Sequence, residues 1–154
     1  MAIEKVREYF KQFKIDNKII ELPDSTATVA LAAISLGTEE CRIAKTLSFI
    51  IEDKPILIVV AGDAKIDNSK YKGHFHIKAK MIPYEEVNTL IGHNPGGVCP
   101  FGINKEVTVY LDESLKRFDY VYPACGSSNS AIKLTIEELE KYSNYTSWID
   151  VCKY

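Results

Sequence analysis

The residue hardest to reconcile with its surroundings is Lys45. It stands in the run Arg42-Ile43-Ala44-Lys45-Thr46-Leu47-Ser48-Phe49-Ile50-Ile51, which is rich in apolar and β-branched side chains and reads as a strand. Residues two apart in a strand share a face, so Lys45 falls with Ile43, Leu47, Phe49 and Ile51, while Ala44, Thr46 and Ser48 take the other side. An ammonium on an apolar face is costly unless it is paired, neutralised or open to a cleft. Three placements satisfy this. Lys45 stands at the strand's start and snorkels to water, a bulge shifts the phase, or the side chain lines a cleft. In a cleft it could put positive charge beside a developing oxyanion or a phosphate.

The second chemical feature is Gly92-His93-Asn94-Pro95-Gly96-Gly97-Val98-Cys99-Pro100-Phe101-Gly102, four glycines and two prolines in eleven residues. Glycine lets a ligand approach the main chain. Amides aimed at a carbonyl oxygen make an oxyanion hole, each donor worth roughly 10²–10³ in rate. The same composition also suits a tight turn with no ligand. His93 and Cys99 share the loop, which keeps a thiol-dependent enzyme in view, although six residues of spacing do not establish a dyad. The third feature, Gly126-Ser127-Ser128-Asn129-Ser130, could hydrogen-bond a ribose, an amino group or a catalytic water, or form a polar hairpin turn.

Charge adds a fourth. The formal net charge is −2, which argues against indiscriminate coating of nucleic acid. Yet Lys65, Lys70, Lys72, Lys78 and Lys80 follow one another with only Asp67 opposing them. This stretch is either a solvated lysine face or a local phosphate-contacting patch. His74 and His76 form an H-x-H with no third ligand near, and the four cysteines form no C-x-x-C pair, so no metal is expected and the thiols read as reduced. No G-x-G-x-x-G, G-x-x-x-x-G-K-[ST] or H-E-x-x-H occurs, so no nucleotide or other cofactor is expected either.

The elements that must position these residues follow from periodicity. Ile3, Val6, Phe10 and Phe13 have the spacing of an amphipathic helix. Residues 18–22 read as a short strand, and Ser25 as the cap of a helix with Val29, Ala32, Ala33 and Leu36 on its apolar face and Gly37 at its end. The runs 43–51 and 56–61 flank Glu52-Asp53-Lys54-Pro55 as a hairpin. A helical or irregular lysine-rich stretch, a short strand over 78–81 and a helix from Pro83 to Leu90 come next. Strands are expected over 107–111, 120–124, 131–134 and 148–151, and Thr135 with Glu138 forms a capping box for a helix to Tyr142.

Hairpin-length links among short helices predict an α+β fold with a mixed, mainly antiparallel sheet and helices packed on it. At 154 residues, 46% hydrophobic and 26% charged, residues 1–154 read as one domain. The apolar runs are too short to span a bilayer, and the first ten residues carry charges unlike a secretory signal, so a cytoplasmic protein is expected.

Taken in order, Ser25-Thr26-Ala27, Ala44-Lys45-Thr46-Leu47, Gly62-Asp63, the Gly96–Gly102 segment and Gly126 resemble the YbaK (EbsC) family of aminoacyl-tRNA editing domains, related to the insertion domain of bacterial prolyl-tRNA synthetases. The resemblance implies a mixed, mainly antiparallel, curved and barrel-like central sheet with helices packed around it, and hydrolysis of the ester joining an amino acid to tRNA. Its expected targets are small amino acids such as alanine, serine or cysteine, with tRNA-Pro a plausible carrier. It implies that Lys45 holds the polar end of the substrate and that the Gly96-Gly97 backbone approaches the ester carbonyl. A water aided by the ribose hydroxyl would attack, rather than Cys99. Ser25, Thr26, His93, Cys99, Ser127 and Asn129 are the expected substrate contacts, and the five lysines of 65–80 the tRNA contacts. Some relatives carry an aspartate where this chain reads Ser130-Ala131-Ile132, so Asn129 or Ser127 would have to replace it. Mischarged tRNA is the expected partner, and an aminoacyl-tRNA synthetase a further one; neither membrane nor DNA is. The alternative is a non-catalytic tRNA- or synthetase-binding module of the same fold.

Overall fold

A computed structural model describes residues 2–154. Helix α1 (Ala2–Lys11) buries Ile3, Val6 and Phe10 along one stripe. It stops short of Phe13, which instead packs its ring 5.5 Å from Tyr9 and 4.8 Å from Tyr142. Strand β1 is only Ile20–Glu21. Helix α2 (Val29–Leu36) is capped by Thr28, whose hydroxyl accepts from Leu31 N at 3.2 Å. Ser25, the expected cap, lies one turn too early to reach those amides and accepts from Ala27 N instead.

β2 (Ile43–Ile51) and β3 (Lys54–Ala61) form the long hairpin. Glu52 and Asp53 both take positive φ, 50° and 67°, the twist that a two-residue connection needs. Pro55 lies within β3 opposite Ile50, whose N–H turns away to the Lys80 carbonyl at 2.9 Å, so this ladder needs no donor from the proline. β4 (Lys65–Ile66) leads into α3 (Asn68–Phe75), capped by Asp67, which accepts from Ser69 N and Lys70 N. The predicted strand at 78–81 is reduced to a bridge between Met81 and Phe49, and the predicted 83–90 helix is a 3₁₀ turn followed by α4 (Val87–Ile91).

The rest of the chain gives β5 (Thr108–Asp112), β6 (Tyr120–Pro123), β7 (Ser130–Ala131), β8 (Leu134–Thr135), α5 (Ile136–Ser143), β9 (Ser147–Ile149) and β10 (Cys152–Lys153). The capping box of Thr135 and Glu138 is present. The strand predicted over 131–134 divides because β7 pairs with β1 while β8 pairs with β6. The last predicted strand divides likewise, β9 joining β5 and β10 joining β4.

The main sheet runs β8-β6-β2-β3-β5-β9, and β7 and β1 prolong it past β6 through a bridge at Ala124 and Ala131. The architecture is the expected mixed α+β fold with a curled, half-barrel sheet. Antiparallel pairings number four and parallel pairings three among the described residues. β3 is buried from Pro55 to Ala61, and Phe10, Phe101, Leu111 and Leu139 join it in the core.

One irregularity positions the site. β6 pairs with β2 only at Ile43 and Ala44. Residues 80–82 take up the same edge further on, through Ile82 N to Ser48 O and Ile50 N to Lys80 O. Between these two partners the edge of β2 at Lys45–Leu47 has no strand beside it among the described residues.

Candidate active site

The parted edge opens into a cavity of about 510 Å³. Its walls are Thr26 to Val29 at the start of α2, Ile43 to Ser48 of β2, Met81, Ile82 and Tyr84, Pro95, Gly96 and Val98, and Ser130 with Ala131. Among the lining residues Lys45 alone carries a charge, and no Asp, Glu, His or Cys is present.

Lys45 is half-buried, and its Nζ makes one long contact, 3.5 Å, with the Gly62 carbonyl. Burial pushes its ammonium below the usual lysine range, while the Asp63 carboxylate pulls the other way. Asp63 is not free to pair with it. Both its oxygens are held by Arg117, at 2.6 and 3.0 Å, and Arg117 keeps the carboxyl below the usual range. Lys45 thus stands half-buried on the cavity wall, with its Nζ directed to the Gly62 carbonyl.

The two glycine-bearing loops meet across this cavity. Gly97 packs so closely on the other loop that a Cβ there would stand 2.6 Å from the Gly126 carbonyl carbon. Gly102 and Gly126 accept the backbone of α1 in the same way. Gly96 alone of the loop's glycines reaches the cavity, with φ +94° and space for a Cβ 3.5 Å from Ala27 Cβ. The segment before α2 is zipped onto the Ser127–Ser130 turn through Thr26 N to Ser128 O at 2.5 Å, Leu22 N to Asn129 O at 2.8 Å and Asn129 Nδ2 to Leu22 O at 3.0 Å. Lys45, Thr26 and Gly96, distant in sequence, therefore wall one space.

Other expected contacts lie elsewhere. His93 and Cys99 are fully buried and do not line the cavity. Cys99 Sγ stands 3.5 Å from His93 Nε2, but that nitrogen donates its proton to the Phe101 carbonyl at 2.6 Å and cannot act as base. Burial raises the Cys99 thiol to about 12 and lowers His93, so neither becomes charged readily. Gly97 is a packing glycine, and Ser25 is exposed in a turn. Ser127 is tied to Ser130, hydroxyl to hydroxyl at 2.5 Å, and Asn129 to Leu22, so both support the cavity from behind. Ser130, buried on the wall, is the member of the 126–130 segment that lines the cavity, and Tyr84, 76% exposed at the rim, is a lining residue that sequence reasoning missed.

The lysines of 65–80 do not form one cluster. Lys70 is ion-paired with Asp150 at 3.0 Å and donates to the Cys152 carbonyl at 2.8 Å. Lys65 lies in β4 and Lys72 in the last turn of α3. Lys78 and Lys80 are exposed just ahead of Met81 on the cavity rim. Among the described residues no His, Cys, Asp and Glu side chains are grouped to hold a metal ion, and no helix is long and apolar enough to cross a membrane.

A curled mixed sheet, parted over a small pocket with one lysine on its wall, defines the class of α+β domain to which the chain conforms. The chain belongs to the aminoacyl-tRNA editing domain family, whose profile matches residues 23–142. It is 53% identical over 154 residues to the uncharacterized protein YwhH of Bacillus subtilis (strain 168), covering 99% of this chain and 98% of that one. It is 26% identical to EbsC of Enterococcus faecalis (strain ATCC 700802 / V583), described as a candidate Cys-tRNA(Pro)/Cys-tRNA(Cys) deacylase, over 87% of this chain and 84% of that one. A crystal structure described as a candidate trans-editing enzyme for prolyl-tRNA synthetase superposes with a TM-score of 0.88 and 29% identity, over 99% of this chain and 98% of that one.

Proposed function

We propose that residues 1–154 act as one unit, a trans-acting aminoacyl-tRNA deacylase that hydrolyses the ester of mischarged tRNA. The observation that carries this reading is Lys45, the sole charge on the cavity wall, facing a space that Gly96 also borders. In the reaction water adds to the ester carbonyl, the bond to the ribose oxygen breaks, and a free amino acid and a ribose hydroxyl result. Lys45 stabilises the negative charge of the substrate's polar end as a charge-assisted donor, and the Gly96 backbone stands at the carbonyl. The wall offers no carboxylate, imidazole or thiol as base or nucleophile. A water assisted by the neighbouring ribose hydroxyl is the attacking group that fits this environment.

The tRNA body contacts the lysines of 65–80, with Lys78 and Lys80 nearest the rim. The similarity to EbsC and to the trans-editing structure supports a small amino acid on tRNA-Pro as substrate. A panel of mischarged tRNAs, each carrying a labelled amino acid, tests the reading. Rapid loss of a small amino acid from one or more tRNAs is expected. Binding of tRNA without release of any amino acid would identify a non-catalytic module instead.

A further inference from the structure

Two buried hydroxyls on the cavity wall have no hydrogen-bond partner: Thr26 Oγ1 and Thr46 Oγ1. Thr26 is 8% exposed and held in place by its own amide on Ser128 O. Thr46 stands on the open edge of β2, next to Lys45. A hydroxyl shut away from water without a partner is a standing cost, and such groups in a pocket call for a ligand that satisfies them. A step of about 120° in χ1 carries a threonine's hydroxyl to the place its methyl held, while the methyl takes the place of Hβ, so each can turn its oxygen to an arriving group.

The wall's charge selects which group that is. An α-ammonium needs acceptors and a counter-charge, but the wall has no carboxylate and already bears the Lys45 ammonium. The ribose leads to the tRNA and belongs at the mouth. A neutral group at the end of the aminoacyl side chain, able both to donate and to accept, suits two threonine hydroxyls. Resting on the deacylase reading, we propose that Thr26 and Thr46 are specificity-determining residues that bind the side-chain hydroxyl of a β-hydroxy amino acid, so that serine-class esters are the preferred substrates. An alanyl ester fits the same space but leaves both hydroxyls unpaired once it excludes water, which is how a hydrogen-bonding site rejects an apolar analogue.

The test compares kcat/KM for seryl and alanyl esters of one tRNA, with wild type, Thr26→Val, Thr46→Val and the double variant. Wild type is expected to prefer the seryl ester by about 10- to 100-fold. Each valine should pull the ratio towards one, the double variant furthest, with melting temperature held or raised because an unpaired buried hydroxyl is gone. Binding of the non-hydrolysable seryl and alanyl amides of adenosine to wild type should show the same preference without any variant. A wild-type preference for alanine, or valine variants that slow both esters equally, would overturn the proposal and leave the deacylase reading standing. The latter outcome would assign the threonines to the shared ribose. Failure to release any amino acid from any tRNA would instead overturn the deacylase reading, and the proposal with it.

Discussion

In the proposed reaction, Lys45 is the residue on which the chemistry turns. Its ammonium is partly desolvated and touches only a distant carbonyl, so removing it should cost the fold little. The same burial makes the charged form a small burden on folding below its lowered pKa, relieved as pH rises towards the ordinary value of 10.5. If the protonated lysine stabilises the substrate's charge, turnover should fall on an alkaline limb centred below pH 10.5. A pH–rate profile of wild type checks this. Lys45→Arg should abolish that limb while remaining impaired, since a guanidinium cannot copy a compact ammonium. Cys99 carries the opposite expectation. Its thiol is buried and its neighbour His93 already serves Phe101, so Cys99→Ala should retain deacylation, measured on the same charged tRNA. Pattern alone identified Lys45 because an ammonium on an apolar strand is conspicuous in sequence. It could not separate Gly96 from Gly97, or show that His93 and Cys99 point away, because which side of a loop meets a cavity is decided by packing.

Among the elements, the glycine loop divides into one glycine that borders the cavity and several packing ones. Gly97→Ala drives a Cβ against the backbone of Gly126 and Ser127, so it should lower the melting temperature more than Gly96→Ala does. Gly96→Ala has room for its methyl but not for its φ of +94°. It should cost about 1–2 kcal/mol, several degrees in Tm, while cutting turnover by about one to three orders of magnitude if its amide serves the carbonyl. Thermal melts beside single-turnover rates separate the two effects. The elements built on local signals were legible: α1 from its apolar stripe, β2 and β3 from β-rich runs, and α5 from its capping box. Those that change partners were not. Nothing in Ser130–Thr135 announces that β7 will pair with β1 and β8 with β6, or that 80–82 will close the β2 edge with a single bridge. The cavity itself arises from that exchange of partners, which is why Tyr84 escaped sequence reasoning and why Ser130 could not be told from Ser127 and Asn129.

For the whole molecule, a net charge of −2 means that the proposed contact with the tRNA backbone falls to local lysines. Lys70 is already committed to Asp150, so Lys78 and Lys80 should carry more of the binding. Replacing both with glutamine should weaken tRNA affinity and flatten the salt dependence of log K by about 0.7–0.9 for each phosphate no longer neutralised, read from binding titrations at several salt concentrations. Hydrolysis of an aminoacyl-adenosine, which lacks the tRNA body, should be nearly unaffected. Everything above depends on the parted sheet housing ester hydrolysis organised by Lys45. The decisive measurement is single-turnover deacylation of the tRNA that wild type clears, repeated with Lys45→Ala at matched folding. A loss of about 10²–10³-fold with an unchanged melting curve is expected; a folded Lys45→Ala protein that clears the ester at the wild-type rate would contradict it.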